Sequence, residues 1–244
     1  MDPASELEEP SHPRSVPAAR AFAWFSEAMT LFKRAPGRWT LLAALTICLE
    51  LLLQLVPSVG VALSKVLIPV VASGLLLGAE AIDRGKPLDL RYALAVFGAP
   101  TTAIAAIVSS ELLVFFSEWI AGYSLAGINL LQSGAEGSDE MSLGLLLQIL
   151  TVGMLVSLPV AFVPFAVLFE GASFGPAFAV SWRAFFINQG ALLVYGVVSL
   201  ALIGVGMLTM GIGLIVAVPL IAGASYAAWK DIFATDEVAG ASAP

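Results

Sequence analysis

From Leu143 to Phe169 the sequence reads LGLLLQILTVGMLVSLPVAFVPFAVLF, without one charged side chain. A helix crossing a hydrocarbon core of roughly 30 Å needs about 20 mostly apolar residues. In that environment a helix satisfies its own backbone, which an open strand cannot do. Five more runs meet the requirement: Trp39 to Val56, Val61 to Ile82, Thr101 to about Ala121, Ala191 to Leu208 and Leu214 to Trp229. With 59% of residues hydrophobic and 12% charged, the composition lies outside the soluble range. The expected fold is all-α, a polytopic membrane bundle of six transmembrane helices.

Between the apolar runs the chain returns to mixed character in a regular way. AFAWFSEAMTLFKRAPGRW places Phe22, Phe25, Met29 and Phe32 at spacings of three and four, with Glu27, Lys33 and Arg34 largely off that stripe. This is the pattern of a helix lying in the membrane interface. A short amphipathic piece from Leu88 to Phe97 and the stretch EGASFGPAFAVSWRAFFINQG repeat the theme. The plan is therefore three hairpins, each preceded by a short amphipathic interfacial helix. PVVASGLLLGAEAID from Pro69 stands against PLIAGASYAAWKDIF from Pro219 as the clearest internal likeness. Residues 1–20 and 234–244 are expected to be disordered tails, and 21–233 a single membrane domain. The leader lacks a basic start followed by a short apolar run, so no cleavable signal is expected.

Six spans put Arg14, Arg20, Lys33, Arg34, Arg38, Arg84, Lys86, Arg91, Arg183 and Lys230 on one side, leaving Lys65 as the exception among eleven basic residues. Cytoplasmic loops carry the excess of Lys and Arg, so both termini are expected to be cytoplasmic. Trp24, Trp39, Trp119, Trp182 and Trp229 fall at span ends or on interfacial helices, where indole rings serve as anchors. Pro159 and Pro164 each remove a backbone donor and should kink the fourth span.

The chemistry-bearing patterns are few. No His-Glu metal motif, phosphate-binding glycine loop or Gly-x-Ser-x-Gly elbow occurs, and the one histidine, His12, sits in the polar leader. No enzyme activity, cofactor or metal is expected. A basic stripe for nucleic acid is absent. The single Cys48 reads as a small core residue, and GLLLG from Gly74 to Gly78 as a close helix approach, within the chain or between copies.

What remains is an intramembrane polar cluster of Glu50, Gln54, Lys65 and Glu111. Glu50 lies seven residues before Pro57 and Lys65 five after Gly60, about 10 Å and 8 Å from the turn on antiparallel helices, so they can meet. Gln54, one turn from Glu50, could complete the bonding. Glu111 falls near the bilayer centre, whereas Glu80 and Glu118 sit at span ends within reach of water. Intramembrane charges are functional candidates by default. Two readings fit them: a polar track for a proton, ion or polar substrate, or a structural clasp. The clasp is preferred, because the other half of the membrane offers the track no further polar residues.

LFKRAPGRWTLL, PVVASGLLLGAEAIDRGKPLDL, FEGASFGPAFAVSWRAFF and YAAWKDIF resemble a family of six-helix inner-membrane proteins of Gram-negative bacteria without an assigned activity. The likeness covers roughly residues 22 to 233. More distantly, the plan is similar to the membrane domain joined to some glycerophosphodiester phosphodiesterases, whose catalytic residues belong to a separate soluble domain. The resemblance implies a bacterial inner-membrane protein and no reaction. Membrane lipids are the expected partners, then another membrane protein or a second copy of the chain. The expected role is membrane organisation, lipid handling or support of a partner complex, the alternative being a small transporter or channel using Glu50, Lys65 and Glu111.

Overall fold

The computed structural model describes residues 12–56, 59–131 and 142–233. Among these the regular structure is entirely helical: α1 Arg20–Arg34, α2 Pro36–Gln54, α3 Gly60–Asp83, α4 Tyr92–Ala95, α5 Thr101–Ala126, α6 Leu143–Ser157, α7 Val163–Phe169, α8 Phe174–Ile187, α9 Gln189–Leu208 and α10 Leu214–Ile232. Six segments are long and apolar enough to cross a membrane: α2, α3, α5, Leu143–Phe169 (α6 and α7 taken together), α9 and α10.

The boundaries have local causes. Ala35 separates α1 from α2 with φ −151° and ψ 59°, outside the helical region that a residue before proline avoids, and Pro36 opens α2, where its missing N–H costs nothing. Ser142 caps α6 by accepting from the Leu145 N–H. α5 continues to Ala126 and stops at Gly127 in the left-handed region, where the Gly127 N–H returns to Tyr123 O. The helix thus runs more than a turn beyond the end expected near Ala121.

The fourth span is broken at both prolines. α6 ends at Ser157, a 3-10 turn covers Leu158–Val160, and α7 opens with Pro164 in its first turn. Ser181 of α8 serves the groups this frees: it accepts from the Phe162 N–H at 3.1 Å and donates to Pro159 O at 2.8 Å. A buried break in a ladder persists only when its polar groups find such partners.

Hydrogen bonds gather the basic loops at one end of the bundle. Lys230 Nζ donates to Asp83 Oδ2 at 2.7 Å, and Tyr226 Oη to the same oxygen at 3.0 Å, tying the end of α10 to the end of α3. Arg34 donates to Ile82 O and Arg38 to Leu88 O. Below them Phe162, Phe165, Phe169, Tyr226, Trp229 and Phe233 form one aromatic cluster, with Phe165 stacked on Trp229. α1 packs along α10, and small residues permit it: a side chain at Gly223 would press on Ala28.

Gly74 and Gly78 face the return segment of their own chain. A Cβ at Gly74 would collide with Tyr92 O, and one at Gly78 would crowd Leu88. Cys48 corrects the core reading. It is exposed, because α2 buries Trp39, Leu42, Ala43 and Thr46, and two residues beyond Thr46 is roughly 200° around the helix. Between Leu88 and Phe97 the helix is only the single turn α4, followed by a 3-10 turn at Val96–Gly98.

Candidate functional site

The turn after Gln54 brings α2 back against α3, and Gly60 makes this possible: a Cβ there would run into Leu53 O. Glu50 Oε1 accepts from Gln54 Nε2 at 2.7 Å and from Ser64 Oγ at 3.2 Å, and Lys65 Nζ stands 3.7 Å away. The closest contact is therefore to the amide one turn on, with the ammonium second-line. Lys65 also sits 5.2 Å above the Phe115 ring of α5, a cation–π arrangement that favours the charge where water is scarce. The structure thus joins Glu50, Gln54 and Lys65, adding Ser64 and Phe115.

Glu111 is placed differently. It is exposed and lines a cavity of about 350 Å³ between α3, α5, α9 and α10. Ser73, Ser110, Tyr195 and Ser225 contribute its other polar groups. Glu118, expected to reach water at a span end, does not do so in the way the sequence implied. Because α5 extends to Ala126, the residue lies two turns inside the helix, and its carboxylate rests against Gly153 of α6. It lines a second cavity of about 210 Å³ with Ser157 and Ser199. Both cavities share Tyr195, Ile203 and Ile221 in their walls. Tyr195 is stacked on Phe25 and edge-on to Trp24, so α1 backs the wall between them.

A third constellation lies at the basic end. Asp231 Oδ2 accepts from Arg20 Nε at 2.6 Å and Trp24 Nε1 at 2.9 Å, and its Oδ1 accepts from Arg14 at 2.9 Å. The hydrogen bond to Asp231 raises the pKa of the Arg20 guanidinium above its ordinary value. Asn188 donates to Arg14 O and accepts from the Val16 N–H. Residues 12–19 of the leader are thereby pinned across the ends of α8 and α10, while residues 1–11 and 234–244 lie outside the described residues. His12 Nδ1 stands 3.3 Å from Arg183. The sequence leads one to expect a disordered tail over residues 1–20, because no periodicity marks this leader; Arg14, Val16 and Arg20 are instead hydrogen-bonded to Asn188 and Asp231.

The five tryptophans differ in setting. Trp24 and Trp39 are fully buried within the chain, with Trp39 Nε1 donating to Leu31 O, so their rings are core rather than outward anchors. Trp229 is in the aromatic cluster, Trp119 donates to Asn129, and Trp182 presents its ring outward.

Fold and site together define an all-helical protein with six helices able to cross a membrane, enclosing carboxylate-lined cavities. Comparison with protein-family models, curated proteins and solved structures found no match. The family resemblance therefore rests on the segments that suggested it.

Proposed function

We propose that this chain is a non-enzymatic integral membrane protein that handles an amphipathic, lipid-like molecule within the bundle. The observation that carries this reading is the pair of adjoining cavities around Tyr195, walled mainly by Leu, Ile, Val and Met side chains with a few polar groups. Apolar concavities with a small number of polar groups are the usual form of a small-molecule site. Glu50, with three donors or charges from its own chain, acts as a clasp for α2 and α3. In this reading the spans form three hairpins, each introduced by an interfacial helix. Exposed Phe22 and Met29 on α1, and Phe174, Trp182 and Phe186 on α8, supply apolar surface for the bilayer boundary. The excess of basic residues at one end supports cytoplasmic termini, and the family resemblance supports a bacterial inner membrane.

The experiment is native mass spectrometry of the protein extracted in mild detergent. A retained amphiphile adduct is expected, lost in Ala222→Phe, which fills the larger cavity, while the melting temperature holds. An adduct-free wild type would refute the reading. Transport is the second reading, favoured by Glu111 and Glu118 each lining one of two adjoining cavities between the helices.

A further inference from the structure

Away from their ends, the six helices long enough to cross a membrane carry three carboxylates, Glu50, Glu111 and Glu118, and one base, Lys65. Lys65 is engaged with Glu50 and the Phe115 ring. Glu111 and Glu118 make no hydrogen bond or ion pair among the described residues, whose contacts place Lys65 on Glu50 and the Phe115 ring instead. They lie on one face of α5, seven residues apart, which is about 10 Å along the axis. Each lines one of the two cavities that meet at Tyr195.

A second, independent feature points the same way. Ser199 is 7% exposed and lines the Glu118 cavity, and its Oγ has no hydrogen-bond partner at bonding geometry, although Ser199 and Ser225 flank the Tyr195 hydroxyl. Buried hydroxyls are nearly always partnered, so a Ser199 Oγ left without a bond beside Tyr195 is available to a polar group of an occupant. Gly153 adds a built element: a side chain there would displace the Glu118 carboxylate.

These groups select by chemistry. Apolar walls take an apolar body, two carboxylates without a counter-ion favour a positive charge, and the lining groups include no cationic side chain to hold an anion. The Tyr195 ring shared by both linings suits an organic cation better than a hydrated metal ion. We infer that the two adjoining cavities on either side of Tyr195 together bind a cationic amphiphile, an organic ammonium or phosphonium whose charge sits near Glu111 and Glu118 and whose body packs on Tyr195 and Ile203. The inference rests on the amphiphile-handling reading and adds the sign of the ligand's charge.

The test uses two probes of the same shape and opposite charge, tetraphenylphosphonium and tetraphenylborate, in equilibrium dialysis against the full-length protein in neutral detergent. Saturable binding of the phosphonium is expected, with borate retention no greater than in protein-free micelles. The double variant Glu111→Gln/Glu118→Gln should bind the phosphonium at least tenfold more weakly, and Ser199→Ala should lose less. Equal binding of both probes, or wild-type affinity in a folded double variant, overturns the inference. Should that variant not fold, the wild type decides alone. A hydrophobic carbodiimide should label Glu111 and Glu118 more slowly when the phosphonium is present, with labelling of Glu80 unchanged; no protection overturns the inference. A retained native adduct without phosphonium binding sinks this inference and leaves the functional reading standing. An adduct-free wild type refutes the functional reading and, with it, this inference, even where the phosphonium binds.

Discussion

Lys65 Nζ stands 3.7 Å from Glu50 Oε1 between α2 and α3, the one base beside three acids, Glu50, Glu111 and Glu118, away from the ends of the helices long enough to cross a membrane. The two halves of the pair are unequal. Removing Glu50 leaves Lys65 its place over the Phe115 ring, whereas removing Lys65 takes from Glu50 its ion-pair partner.

The first prediction follows from this asymmetry. Lys65→Met should lower stability in detergent by about 3–5 kcal/mol, the usual cost of stranding a buried charge, and Glu50→Gln by about 1–2 kcal/mol, because the amide keeps a partner in Gln54. The double variant should be milder than the sum. Thermal unfolding of the three proteins checks this, and strictly additive losses would show that the residues do not interact.

Asp231 gives the second prediction. It accepts from two guanidiniums and an indole with its side chain only 10% exposed, while the Arg14 side chain is 55% exposed. Asp231→Asn should cost about 2 kcal/mol through lost charge-assisted bonds, and Arg14→Ala less than about 1 kcal/mol. Limited proteolysis should cut near Arg14 and Arg20 sooner in Asp231→Asn than in the wild type. Equal cleavage would mean that the leader is held by something else.

The spans could be read from sequence because apolar length is a local property, and the place of the turn sets how far Glu50 and Lys65 lie from it. The Asp231 constellation could not be read in this way. Its donor and acceptor are separated by 211 positions between Arg20 and Asp231, and nothing local marks which end of the chain meets which. Glu118 was misjudged because an apolar run does not show where a helix stops; the left-handed Gly127 sets that end. The exposure of Cys48 depends on which face of α2 meets its neighbours, and a helix apolar all round does not disclose it.

Ser181 carries the third prediction. Ser181→Ala strands the Phe162 N–H and Pro159 O in the break of the fourth span, at about 1–3 kcal/mol. In a Pro159→Ala/Pro164→Ala background the same change should cost less, since the helix can then satisfy more of its own backbone. Melting temperatures of the four proteins test the coupling. An equal cost in both backgrounds would contradict it.

Orientation is tested by reporter fusions after Gly137 and after Thr235. The proposal expects a periplasmic signal from the first and a cytoplasmic signal from the second. The opposite result at either site would require a different number of crossings.

The most direct test of the account is proton and cation flux in liposomes reconstituted with the purified protein. Intramembrane charges that clasp helices and line a binding site should leave the passive leak equal to that of empty liposomes, with no change in Glu111→Gln. Reproducible flux that Glu111→Gln abolishes would contradict the account and make these carboxylates a conduction path.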